Sequence, residues 1–279
     1  MSPASRPSAS PPVPRGSAGV SPTLLLTVLG SAGSYPGPGD ACSGYLVRSP
    51  RSTCVIDLGP GTLANLQRHV ELSQIDAIVL THEHPDHWLD VPILRNALRY
   101  YLGLEGLAVY GTAGAYRRAQ ALIGELEPTL EWTVIDASSS VRVGDQRFRF
   151  DRTDHPVETL AVRLEVGDAP RVAGRVDNDA GQRALAYSAD TGPRWSAADL
   201  AHEADVFLCE ATLAQGNDAD ELPHLNARQA GEWARALGVG TLLLTHVAPG
   251  VDPHAQKRAA ESAFGGPVEL ARTHGSFMV

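Results

Sequence analysis

Short apolar runs punctuate the chain at intervals that suit buried strands. TLLLTVL begins at Thr23, and further runs follow at Gly44–Val47, Cys54–Asp57, Ala77–Leu80, Leu107–Tyr110, Thr133–Ile135, Gln146–Phe150 and Leu160–Val166. Four more lie at Ala184–Tyr187, Val206–Leu208, Thr241–Leu244 and Pro267–Leu270. Their length and β-branched content predict strands. Helical spacing of apolar positions predicts helices over Leu63–Glu71, Leu89–Tyr101, Ala113–Leu126, Ala197–Glu203, Ala227–Leu237 and Pro253–Phe264. Hairpin-like strand pairs open the chain, and strand–helix alternation closes it. That order predicts a layered α/β domain rather than a uniform βαβ repeat.

Residues 1–21 are rich in proline and serine and carry no acidic side chain, so a disordered tail is expected ahead of one domain spanning residues 22–279. EVGDAPRVAGRVDNDAGQRA, from Glu165 to Ala184, reads as a long exposed hairpin loop between two strands. No window holds 18 consecutive apolar residues, which excludes a transmembrane helix of that length, and a cytoplasmic location is expected. The three cysteines, Cys42, Cys54 and Cys209, form no C-x-x-C pair and are expected to be small buried residues in a reducing compartment. The formal net charge is −9, which argues against a protein that coats nucleic acid.

The chemistry concentrates in IVLTHEHPDHWLD. It sets His82, His84, Asp86 and His87 just past an apolar strand. In extended backbone His82 and His84 project to the same side, so both imidazoles reach one ion; after Pro85 the chain turns and aims Asp86 and His87 at a neighbouring point. Two ions about 4 Å apart suit displacement at phosphorus. Further along, His155 follows a strand in TDHPVETLAVRL, Asp190 ends one in LAYSADTG, and His246 follows one in LLLTHVAP.

This ordered set resembles the metallo-β-lactamase superfamily, whose signature THEHPDH carries. The resemblance implies a four-layer αββα sandwich of two mixed β-sheets flanked by helices. It implies two divalent ions, zinc first with manganese or iron as alternatives. One ion would take His82, His84 and His155; the other Asp86, His87 and His246; Asp190 would bridge them. Asp57, at a strand end in VIDLGPGT, would orient a ligand histidine, with a simple turn or cap role as the alternative. LGSAGS, with Gly30 and Gly33, lacks G-x-G-x-x-G spacing and reads as a tight turn near the site rather than a dinucleotide cradle.

Two motifs narrow the branch. FLCEATL carries Glu210 and resembles the His-Glu-Ala-Thr motif of the ribonuclease Z group, with Cys209 in place of its histidine. PHLNARQAG carries His224 and resembles that group's second histidine loop. Independently, Asn226 and Gln229 form a capping-box pair for the helix from Ala227, which Gly238 ends. His224 would then lie beside a helix N-terminus, where a phosphate oxygen is favoured.

Only 35 residues separate His155 from Asp190, too few for the long tRNA-gripping arm of ribonuclease Z. The closer resemblance is to small bacterial ribonuclease Z-like proteins, among them cyclic-nucleotide phosphodiesterases. The expected activity is hydrolysis of a small phosphodiester by a hydroxide shared between two ions. Asp86 would accept a hydrogen bond from the nucleophile, His224 would protonate the leaving oxygen, and Glu210 would hold His224. RNA is the less favoured substrate and a membrane is not expected. The alternatives are a tRNA 3′-processing nuclease, a lactamase or thioesterase, and a non-enzymatic binding module. A homodimer is also open. The aromatic end of the Leu89–Tyr101 helix, Tyr100 and Tyr101, would supply either its interface or ordinary core.

Overall fold

A computed structural model describes residues 23–167, 182–216 and 223–279. The expected 1–21 tail and most of the expected 165–184 loop lie outside them.

Two seven-stranded sheets face each other. The first contains β1 (Leu25–Gly30), β2 (Gly44–Arg48), β3 (Thr53–Leu58), β4 (Ala77–Leu80), β5 (Leu107–Gly111) and β6 (Leu130–Val134). The second contains β7 (Ser140–Val143), β8 (Gln146–Arg152), β9 (Leu160–Val166), β10 (Arg183–Tyr187), β11 (Val206–Glu210), β12 (Thr241–Thr245) and β13 (Val268–Leu270). The last strand, β14 (Ser276–Met278), returns to pair with β1 and completes the first sheet. Within each sheet an antiparallel run gives way to a parallel run: β3, β4, β5 and β6 are parallel in one, and β10, β11, β12 and β13 in the other. The two halves therefore repeat one plan.

Helices α1 (Thr62–Leu66), α2 (Pro85–Trp88), α3 (Val91–Asn96) and α4 (Ala113–Ile123) belong to the first half. Helices α5 (Ala198–Ala201), α6 (Ala227–Ala236) and α7 (Pro253–Phe264) belong to the second. The layering shows directly in the apolar clusters. Leu26, Val47 and Ile56 of one sheet meet Phe148, Val162 and Leu185 of the other between the sheets. A separate cluster joins the first sheet to α3 and α4 through Ile78, Leu94 and Ala119. A third joins the second sheet to α6 and α7 through Leu242, Ala230 and Ala260. Each fully buried aliphatic side chain contributes about 1.5–3 kcal/mol. A strand covered on both faces needs apolar residues throughout, as in AIVL of β4, all of it buried. The result is the αββα sandwich.

Several boundaries moved. The helix expected over Leu63–Glu71 ends at Leu66 and is followed by a separate 3-10 turn, Leu72–Gln74. The helix expected over Leu89–Tyr101 begins two residues later, at Val91, and runs on to Leu102 with its second half π-helical. The Asp90 N–H bonds to Leu58 O of β3 instead of continuing α2, and Pro92, which has no N–H, stands in the first turn of α3. A π-helical turn, Ala97–Leu102, then ends at Gly103 in the left-handed region. Tyr100 and Tyr101 are exposed, so they are not core. The Ala197–Glu203 helix is a single turn, and β6 begins three residues before the expected Thr133. Strands β7 and β14 were not expected. β7 pairs with β8 through a two-residue turn at Gly144–Asp145, a hairpin signal in VRVGDQRFRF. β9 and β10 pair antiparallel with Val166 opposite Arg183, so both ends of the expected loop belong to strands.

The cysteines are buried and free, and burial pushes the Cys42 thiol up to about 12. Among the described residues no helix is long and apolar enough to cross a membrane.

Candidate active site

The chemistry-bearing residues sit at strand ends along one edge of the sandwich. Asp57 is the last residue but one of β3, His82 follows β4, His155 follows β8, Asp190 follows β10, Glu210 ends β11 and His246 follows β12. Turning the chain sharply there puts Asp57 (φ 57°), Ala189 (φ 50°) and His246 (φ 53°) in the left-handed region. Non-glycine residues are rarely held so, and three together mark a site whose geometry the surrounding fold enforces.

Two groups form. His82, His84, His155 and Asp190 have ligand-type atoms within 4.8 Å of one another, as do Asp86, His87, Asp190 and His246. Asp190 is common to both, and its two oxygens divide between them. Oδ1 lies 3.3 Å from His87 Nε2 and 3.4 Å from His246 Nε2, whereas Oδ2 lies 3.6 Å from His82 Nε2 and 4.0 Å from His155 Nε2. All seven residues singled out from the motifs thus converge. Glu210, His224 and His246 form a third, adjoining group.

Hydrogen bonding sets which nitrogen of each imidazole faces inward. The Thr81 hydroxyl donates its one proton to Asp57, at 2.9 Å from Oδ2, and so accepts from His82 Nδ1 at 3.0 Å. The Thr212 hydroxyl donates to Glu210 Oε2 at 2.6 Å and so accepts from His246 Nδ1 at 2.8 Å. His87 Nδ1 donates directly to Asp57 Oδ2 at 2.7 Å, and His155 Nδ1 to Pro223 O at 3.2 Å. In each case Nε2 is the nitrogen turned toward the carboxylates. The two halves of the fold therefore each carry a carboxylate–threonine–histidine relay. Asp57 also accepts from the Thr81 N–H and the Tyr187 hydroxyl, so four donors hold it in place with no exposure to water.

Nitrogens aimed at carboxylates, and at each other, need a cation between them. His87 Nε2 and His246 Nε2 are 3.3 Å apart, and His155 Nε2 and His84 Nδ1 are 3.1 Å apart. His82 Nε2 and Asp190 Oδ1 are buried without a hydrogen-bond partner, the type of orphan that an ion satisfies. The nitrogen and oxygen donor set fits zinc, manganese or iron. Burial pushes the His82, His84 and His155 imidazoles down, favouring the neutral form that binds metal. Burial alone would raise Asp190, but His246, His87 and His82 outweigh it and hold the carboxyl well below the usual range. Burial likewise opposes a proton on His87; Asp190 and Asp57 prevail and raise it, so a proton and a metal ion compete for Nε2.

His224 stands over both groups, its ring centroid 5.4 Å from that of His155 and 5.6 Å from that of His246. Its Nδ1 donates to Glu210 Oε1 at 3.0 Å. Burial would lower its pKa, but the buried Glu210 carboxylate overrides that and pushes it up to about 9. The Asn226–Gln229 capping box is formed on both sides, and Leu225 N–H bonds Glu210 Oε2 at 3.2 Å, tying the His224 loop to β11. The LGSAGS turn packs directly on the site: Ser34 N–H donates to Asp86 Oδ2 at 2.9 Å. Sequence reasoning missed Thr81, Thr212 and Ser34. The first two were signalled only by a threonine beside each motif histidine or glutamate.

The model of the beta-lactamase superfamily domain matches residues 53–247. An uncharacterized protein of Mycobacterium tuberculosis is 33% identical over 269 residues, 92% of this chain and 93% of that one. The probable metallo-hydrolase YhfI of Bacillus subtilis is 28% identical over 255 residues, 90% and 98% of the two chains. A ribonuclease Z of Kineococcus radiotolerans is 28% identical over 291 residues, 89% and 92% of the two. The crystal structure of YhfI superposes with a TM-score of 0.81 at 26% identity, covering 92% of this chain and all of that one. A diphosphatase of the PhnP family shares the fold at TM-score 0.70 and 17% identity, over 91% and 97% of the chains. The protein belongs to the metallo-β-lactamase superfamily and is a metal-dependent hydrolase with ribonuclease Z-like relatives.

Proposed function

We propose that the protein is a phosphodiesterase acting on a small phosphodiester, a 3′,5′-cyclic nucleotide in particular. The observation that carries this reading is the Glu210–His224 pair, at 3.0 Å, set across both histidine–aspartate groups. A thioester expels a thiolate that needs no proton, whereas a departing ribose alkoxide does need one.

Divalent ions, when bound by His82, His84 and His155, by Asp86, His87 and His246, and by Asp190 between them, would supply Lewis acidity toward water and the phosphoryl oxygens. The protein's own groups do the rest. Asp86, fixed by the Ser34 N–H, presents a carboxylate that accepts a hydrogen bond from the attacking water. His224 Nε2 gives its proton to the leaving O3′ as the P–O3′ bond breaks, and the product is the 5′-monophosphate. Glu210 keeps His224 charged and oriented, and its rigid hold costs little reorganisation during the reaction.

The test is chromatographic turnover of 3′,5′-cyclic AMP by manganese- or zinc-loaded protein beside a His224→Ala sample. Production of 5′-AMP that collapses in the variant supports the assignment. No turnover by protein shown to hold metal would overturn it. A second reading, cleavage of precursor tRNA at its 3′ end, is favoured by the 28% identity with a relative named ribonuclease Z. Specific cleavage of a tRNA precursor would establish it instead.

A further inference from the structure

Among the described residues, eight large apolar side chains are exposed: Tyr35, Ile93, Tyr100, Tyr101, Leu102, Leu122, Val134 and Met278. Tyr35 alone follows directly on a residue that hydrogen-bonds the site. Consecutive Cα atoms are 3.8 Å apart, so a Ser34 N–H held 2.9 Å from Asp86 Oδ2 keeps the Tyr35 backbone at the rim. Tyr35 is 57% exposed there, and core packing does not account for it.

The segment that carries Tyr35 is built, not loose. Gly33 N–H bonds Val247 O at 3.1 Å, and Ala32 bridges Val247, so the loop is fastened to the residue after His246. Gly33 lies so close that a Cβ there would sit 2.5 Å from His246 O and 2.9 Å from His246 Nδ1. Tyr35 N–H closes a tight turn onto Gly33 O at 2.8 Å, and Asp40 N–H bonds Gly37 O at 3.0 Å. Ser34, not a glycine, is held at φ 64°. Backbone strain of this kind persists where the surrounding structure requires it and clusters at ligand sites. A pre-set loop that holds an exposed tyrosine one residue from a site contact loses little entropy on binding a flat partner.

We propose that Tyr35 is the platform on which the substrate's nucleobase stacks, making it a specificity-determining residue. The proposal rests on the cyclic-nucleotide reading above and refines it. Stacking on an aromatic side chain accepts any base, and truncation to alanine removes it.

The experiment is calorimetric titration of manganese-loaded protein with 5′-AMP and with ribose 5-phosphate, which carries a hydroxyl at C1 in place of the base. Wild-type protein is expected to bind 5′-AMP more tightly. Tyr35→Ala should weaken 5′-AMP by about 5- to 150-fold while leaving ribose 5-phosphate unchanged, and Tyr35→Phe should restore the difference. An unchanged 5′-AMP affinity in Tyr35→Ala, or an equal loss for both ligands, would overturn the proposal and leave the phosphodiesterase reading intact. Wild-type protein that holds its metal yet binds neither ligand would overturn both.

Discussion

Replacing Thr212 by valine preserves shape and deletes one hydroxyl. That hydroxyl bridges a fully buried carboxylate and a ring that is 1% exposed: it donates to Glu210 Oε2 at 2.6 Å and accepts from His246 Nδ1 at 2.8 Å. Glu210 keeps other donors, Thr191 N–H at 2.6 Å, His224 and Leu225, so its loss is partial. His246 Nδ1 has no such reserve. Leaving it unpaired costs about 1–3 kcal/mol and frees the ring to take the wrong tautomer. Outer partners of metal-binding histidines are worth about 10- to 100-fold in affinity, which is roughly 1.4–2.7 kcal/mol and agrees with the cost of one unpaired donor. The assay is competition with a chromophoric chelator, which reads the two ions separately. Thr212→Val should lose about 10- to 100-fold at one ion only, and Thr212→Ser should recover it. Wild-type affinity at both ions in the valine variant would refute the relay.

Four other outcomes are expected. Asp57→Ala deprives Thr81, His87 and Tyr187 of a common acceptor; it should cost about 3 kcal/mol or more in urea unfolding and abolish metal binding, and full metal occupancy would contradict the role given to Asp57. Gly33→Ala forces the loop off His246 and should lower Tm and cut hydrolytic turnover at least tenfold; undiminished turnover would show the close approach to be idle. Removing metal with a chelator should lower Tm, and readdition at about 100 times Kd should restore roughly 2.7 kcal/mol of stability; a Tm indifferent to manganese and zinc would count against the site. Burial would raise the Glu165 carboxyl, but Arg163 at 2.7 Å and Arg149 at 3.2 Å hold it below its ordinary 4.5. Its folded-state pKa being depressed, its contribution is complete above about pH 4.5 and is lost as pH falls through the lower folded value. The stability gap between wild type and Glu165→Gln should therefore shrink below pH 4.5, and a gap constant from pH 7 to 3.5 would rule the ion pairs out.

The local signals carried far because they were local. Apolar runs marked most strands of both sheets, Asn226 and Gln229 marked the start of α6, and histidines or aspartates after strands marked the residues that converge. Side chains at strand ends need only the strand to be recognised for their position along one edge to follow. What the sequence could not reach depends on contacts across long separations. The late start of α3 is set by Asp90, whose N–H turns to Leu58 O, 32 positions back, so periodicity alone began that helix two residues early, at Leu89. The inward-facing nitrogens of His82, His246 and His155 are set by Thr81, Thr212 and Pro223, none of which advertises a partner in one dimension. Asp190 can serve both groups only because the two halves of the fold bring His82 and His246, 164 positions apart, to opposite sides of one carboxylate. Recognising the strands was enough to say which side chains were available and at which strand ends they stood. The tertiary structure decided their protonation, their pairing and the exposure of Tyr35, because those properties belong to the packed interior and not to any segment of it.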